Sequence, residues 1–120
     1  MQEGLGFSQG VLDGIPTPCG IVGPDFNMIW VNDEICRLLE KTGPRDSWTG
    51  QRSGLFFYDD AGRETLSDRA IMERKSLSLE FDHTTPSGRK LRVAVHTTPF
   101  YNLDGALLGS IAFSNDLTEI

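Results

Sequence analysis

The side chains able to carry chemistry are few and scattered. Cys19 and Cys36 are the two cysteines of 120 residues, and they stand in unlike contexts, PCG and ICR. No C-x-x-C or C-x-x-C-H spacing occurs, which argues against a zinc site, a disulfide framework and covalent haem attachment. They read as two reduced, partly buried thiols. The two histidines, His83 and His96, fall in DHT and VHT. Alternation turns His96 away from the interior with Arg92, and His83, next to TTPSG, is expected to face solvent. Asp59, Asp60, Gly62 and Glu64 lack the D-x-D-x-D-G spacing of a calcium loop. No nucleophile elbow supports a Ser-His-Asp triad. No glycine-rich run follows a strand and opens a helix, so no phosphate cradle is indicated. The paired carboxylates read as helix caps and solvated faces, and no enzymatic activity is expected. What is left is non-covalent chemistry in an apolar interior.

The elements that must build such an interior can be read from spacing. FSQGVLDGI, residues 7–15, fits a short helix with Ser8 as N-cap, broken by the prolines of IPTP. CGIVG and MIWVN are β-rich runs joined by the turn PDFN, a hairpin pattern. Asn32 suits the N-cap of a following helix, with Asp33 and Glu34 in the first turn, where the helix dipole favours carboxylates. Ile35, Leu38 and Leu39 recur at helical spacing, and Gly43-Pro44 is expected to stop that helix. Residues 44–62 read as irregular or short-helical, pinned by Phe56, Phe57 and Tyr58. A helix from about Arg63 to Lys75 buries Leu66, Ala70 and Ile71.

The last third alternates as antiparallel strands: LSLEFDH, the turn TPSG, KLRVAVHTTPF, the turn YNLDG, then ALLGSIAFS. Leu91, Val93, Val95 and Thr97 share one face of the middle strand. In the last strand Gly109, Ile111 and Phe113 are expected to face inward. Ser110, Ala112 and Ser114, with Ala94, would then form an outer face of small residues for a partner helix or second subunit. With no βαβ repeat, the fold class is α+β, with one antiparallel sheet of about five strands.

Bulk properties narrow the function. The length suits one domain with one real core. A hydrophobic content of 38%, with 23% charged residues, is ordinary for a soluble globular protein. The net charge of −6 argues against nucleic-acid binding. No apolar run approaches a membrane span, and MQEGLGFSQG lacks the features of a signal peptide. No membrane contact and a cytoplasmic location are expected.

The ordered set of motifs resembles a PAS domain from about residue 11 to 119. VLDGIPTPCGIVGPDFNMIWVNDEICRLLEKTG supplies the opening strand, a D-x-x-x-hydrophobic turn at Asp25 and a second strand ending in Asn32. SGRKLRVAVHTTPFYNLDGALLGSIAFSNDLTE supplies the closing strands, Gly105 and Gly109, and the exit motif Asp116-Leu117-Thr118. RSGLFFYDDAGRETLSDRA is most similar to PAS modules of bacterial methyl-accepting chemotaxis proteins. The resemblance implies a five-stranded antiparallel sheet with helices packed on one face, a single domain over 1–120, and a place within a larger multidomain signalling protein. It also implies a ligand or cofactor between sheet and helices, a homodimer, and an output domain in cis.

Against that family background, the flavin-adduct class needs a reactive cysteine in an N-C-R-F-L-type helix, which is missing. Haem-binding PAS domains carry an axial histidine mainly on the helix before the last three strands. Here that helix, RETLSDRAIMERKS, has none, and Met72 is its only soft donor. FAD needs no single diagnostic residue, and Trp30 is an aromatic that could wall it. No cofactor is the expectation, with FAD and b-type haem not indicated. The expected lining is Trp30, Leu39, Phe57, Ile71, Phe81, Val93, Val95, Ile111 and Phe113, with Thr97 as a hydroxyl on an apolar face; each suits a plain core equally well. Asp116 and Thr118 are expected to cap a following output helix and act as signal relay. The reading is a sensory PAS domain that binds a small ligand and signals to a C-terminal output domain, most simply that of a chemoreceptor. The alternative is a ligand-free dimerisation and relay module of a histidine kinase or cyclase.

Overall fold

The computed structural model describes residues 12–118. β1 (Cys19–Val22) and β2 (Met28–Val31) form the expected hairpin. In its turn the Asp25 carboxylate accepts the Asn27 N–H at 3.1 Å. Asn32 then caps α1 (Asp33–Leu38), its side-chain oxygen accepting the Ile35 N–H at 2.9 Å. The same amide does more than cap. Its oxygen also accepts the Cys19 N–H (3.0 Å) and its NH2 donates to the Thr17 carbonyl (2.8 Å), tying the start of α1 to the start of β1.

α1 ends before the expected Gly43-Pro44 stop. Glu40 takes the left-handed conformation (φ 57°) and the Lys41 N–H reaches back to the Cys36 carbonyl at 2.8 Å. Together these satisfy the last carbonyls of the helix without a glycine. A 3-10 turn (Arg45–Trp48) and α2 (Ser53–Tyr58) follow. α3 spans Leu66–Glu73, starting later than Arg63 because Thr65 and Asp68 form a reciprocal capping box. Ala70 and Ile71 are buried on it as expected, but Leu66 is only half-buried. The helix expected over residues 7–15, with Ser8 as its cap, lies mostly outside the described residues. Among the described residues no helix is long and apolar enough to cross a membrane.

β3 (Leu77–Thr84), β4 (Lys90–Tyr101) and β5 (Leu107–Asp116) complete one antiparallel sheet, ordered β2-β1-β5-β4-β3. The first strand is therefore interior, paired with the last one, which lies at the centre. Helices α1 to α3 cover one face. Their core joins Val22, Met28, Val31, Ile35, Phe56, Ile71, Leu91 and Val93. A second core lies on the opposite face, where Leu12 packs with Cys19, Ile21 and Trp30, flanked by Ile111 and Phe113.

That second core reverses the expected facing of β5. Register pairs Val95 with Ser114 and Thr97 with Ala112, so the small residues share the helix face, and Ile111 and Phe113 point the other way. Packing explains it. α3 lies close against β5, with the Ser110 hydroxyl donating to the Ser67 carbonyl at 3.2 Å, and only small side chains fit beneath it. The helix that covers Ser110, Ala112 and Ser114 is the chain's own. Gly109 is small for a different reason: a Cβ there would lie 2.2 Å from the Val22 carbonyl oxygen of β1.

Candidate functional site

On the helix face a small cavity is left between α1, α2, α3 and the β3–β4–β5 half of the sheet. It leaves about 40 Å³ open. Leu79, Phe81 and His83 present alternate side chains of β3, Val93 and Val95 of β4, and Ala112 and Ser114 of β5. The register brings them together: Leu79 lies opposite Val95, Phe81 opposite Val93 and His83 opposite Leu91. α1 and its C-cap contribute Ile35, Leu38 and Leu39, α2 contributes Phe57 and Tyr58, and the N-cap and first turn of α3 contribute Thr65 to Ser67. The walls are thus mostly hydrocarbon and ring. The polar side chains are Thr65 and Ser67 at the α3 start, Tyr58, His83 and Ser114.

Side chains from distant elements tie the surrounding segments together. The Glu40 carboxylate accepts both the Ser87 N–H (2.9 Å) and its hydroxyl (2.8 Å), fixing the β3–β4 turn over the end of α1. Those bonds hold the Glu40 carboxyl below its ordinary value. The Lys41 ammonium lies over the rings of Trp48 and Phe56, 4.8 and 5.4 Å from their centroids, and pairs with Asp59 at 3.0 Å. This joins α1 to the end of α2. The Arg63 guanidinium lies 3.9 Å from the Tyr58 ring centroid, and Tyr58 and Phe81 are 6.4 Å apart between centroids. Burial pushes the Tyr58 phenol up, and partial burial lowers the His83 imidazole, favouring its neutral form.

Of the expected lining residues, Leu39, Phe57, Phe81, Val93 and Val95 meet at the cavity. Ile71 is on the same face but belongs to the solid core. Thr97 is fully buried opposite Ala112, its hydroxyl without a hydrogen-bond partner. Trp30, Ile111 and Phe113 are on the far face, in or against the second core. His83 was expected in solvent and is found at the cavity. Period-two counting from Phe81 contains that signal, since residues 79, 81 and 83 share a face. His96 does face away from the helices, its Nδ1 2.8 Å from the Ser78 hydroxyl.

The expected relay residues are engaged with β4. The Thr118 N–H donates to the Asp116 carboxylate (2.9 Å), and the Thr118 hydroxyl oxygen accepts the Arg92 N–H (2.8 Å). The Leu117 N–H donates to the Arg92 carbonyl at 2.8 Å. The Arg92 guanidinium in turn reaches Asp82 (3.1 Å) and Glu80 (3.6 Å) on β3. Asp116 is held below its ordinary value chiefly by its bonds from Thr118.

The cavity does not fit the large cofactors. Its open volume is well short of the roughly 300–1,000 Å³ of a drug-sized ligand's site, so neither an isoalloxazine nor a porphyrin enters without separating β3 from the helices. Burial pushes the Cys19 thiol up to about 12 and also raises Cys36, so neither is a thiolate nucleophile at neutral pH. Cys36 does not line the cavity. Among the described residues no three His, Cys, Asp or Glu side chains converge as a metal site would require.

This sheet order and helix layer are those of the PAS fold, and the PAS domain family model matches residues 16–119. The chain belongs to that family. No curated protein matches it in sequence. Among solved structures it is similar to VqmA bound to DPO, with a TM-score of 0.70 and 16% identity over 92% of this chain. The match spans only 56% of VqmA, just over half its length. The PAS domain of Bordetella pertussis BvgS is 24% identical, with a TM-score of 0.67, covering 96% of this chain and 86% of that one. The PAS domain of the fruit-fly ELK potassium channel is 13% identical, with a TM-score of 0.70, covering 92% and 94%.

Proposed function

We propose that this PAS domain is a sensor whose cavity binds a small molecule and whose sheet passes the difference between filled and empty states to an output domain in the same polypeptide. The carrying observation is the cavity itself, apolar and bounded on one side by β3, an edge strand with partly exposed side chains. A ligand shifts such an equilibrium only by its differential affinity for the two states. Displacement of β3 and β4 offers that difference, because Arg92 links both strands to the chain's exit. The description of VqmA as bound to DPO supports ligand binding within this fold. The likeness of residues 52–70 to chemoreceptor PAS modules supports a chemoreceptor output and a cytoplasmic setting.

The ligand-free relay reading rested on Ala94, Ser110, Ala112 and Ser114 as one outer face for a second subunit. Ser110, Ala112 and Ser114 are buried on the helix side instead. No specific observation now favours that reading over the sensor.

Thermal-shift screening against metabolite panels, with native mass spectrometry of the purified domain, tests the proposal. We expect saturable stabilisation that disappears in Val95→Phe, which fills the cavity from β4. The reading is overturned if no compound stabilises the wild type, or if binding survives that substitution unchanged.

A further inference from the structure

We propose that His83 is the polar anchor of the cavity, and that the molecule held there is small and uncharged, with an apolar body and one hydroxyl or carbonyl group meeting the imidazole. This rests on reading the cavity as a ligand site. The polar groups around the cavity differ in how far they are already committed. Thr65 accepts the Asp68 N–H at 3.1 Å and lies 3.3 Å from the Ser53 hydroxyl. The Ser67 carbonyl takes the Ser110 hydroxyl. Glu40 is occupied by Ser87, and Lys41 by Asp59 and two rings. His83 stands apart. Its ring meets Phe81 edge-on at 6.4 Å, and none of the described residues hydrogen-bonds to either nitrogen. The contrast with His96, bonded to Ser78 on the opposite face, marks His83 as the imidazole with unspent capacity.

The neighbourhood sets the chemistry. A neutral imidazole offers one donor and one acceptor, which complements a hydroxyl fully and a carbonyl through the N–H. Phe81, Val93, Val95 and Leu39 supply hydrocarbon walls, against which a charged ligand would lose its hydration with no opposite charge inside to offset it. Arg63, which pairs with no carboxylate among the described residues, is spread over the ring of Tyr58. The volume limits the body to a few carbons.

Matched probes test this: cyclopentane, cyclopentanol, cyclopentanone and cyclopentanecarboxylate, titrated into the domain while the His83 ring signals are followed by NMR. We expect cyclopentanol or cyclopentanone to bind about tenfold tighter than cyclopentane, the scale of one hydrogen bond. That preference should vanish in His83→Leu, which still binds cyclopentane, and return in part in His83→Gln. Equal binding of cyclopentane and cyclopentanol, unaltered in His83→Leu, would overturn the anchor and leave the cavity reading standing. Tighter binding of the carboxylate would overturn the uncharged ligand. Failure of every probe to bind the folded wild type would overturn both readings together.

Discussion

The two ends of the sheet are built differently. Around β1, β2 and β5 both faces are covered: Val22 and Met28 face the helices, while Cys19, Ile21 and Trp30 face Leu12, and all are nearly inaccessible. Around β3 and β4 one face borders a void and the other carries exposed ion pairs of Arg92 with Glu80 and Asp82. Leu79, on the helix face of β3, remains 48% exposed. Close packing of the first kind fixes one arrangement, whereas an edge strand beside a void has few contacts to lose on moving. Close packing and room to move thus sit at opposite ends of one sheet.

The contrast can be broken most severely at Asn32. Asn32→Ala leaves the buried Cys19 N–H, the first turn of α1 and the Thr17 carbonyl without their partner. We expect a loss of about 3 kcal/mol or more in urea unfolding. A cost below about 1 kcal/mol would show that this end is not held as described. Next, matched truncations compare the two ends directly. Ile21→Ala, at a fully buried site, should cost about 2–5 kcal/mol. Val95→Ala, half-buried beside existing space, should cost less than about 1.5 kcal/mol. Equal costs would erase the distinction.

The smallest expected effect is a pH dependence at the open end. Burial lowers His83 from its ordinary 6.5, helped by Lys41 and Arg63 and opposed by Asp59 and Glu40. The unfolded chain therefore takes up this proton first, so stability falls as pH drops below about 6.5 and levels off under the lowered folded value. His83→Gln should flatten that part of the profile between pH 7.5 and 5.5, read from urea midpoints. An unchanged slope would mean the imidazole is solvated.

What the sequence makes legible follows the same division. The strands of the last third, the β1–β2 hairpin and the Asn32 cap were all readable, because alternation and capping are local properties. Facing was readable for β4, whose Leu91 and Val93 are buried while Arg92 is exposed. It failed at β5, where a nearby helix demanded small residues inside and a second core took the large ones. β1 gives no alternation at all, since CGIV is buried throughout. The cavity was half legible: five expected residues meet there, while Trp30, Ile111 and Phe113 were drawn to the other side by a segment whose packing no period announces. His83 was missed by judging its neighbours in sequence rather than its partners across the strand.

The pairing of β1 with β5 also governs how the chain can be assembled. Gly20 lies opposite Ala112 and Cys19 opposite Phe113, so almost the entire described chain separates the two strands. Of the five strands, synthesis delivers β1 first and its second neighbour last. Until residues 107–116 arrive, one edge of CGIV has no ladder to join, and both of its faces are apolar. A nascent chain stopped short of that point presents the kind of bare strand edge that other chains can extend. The contact that later closes the centre of the sheet is, during translation, its most exposed liability.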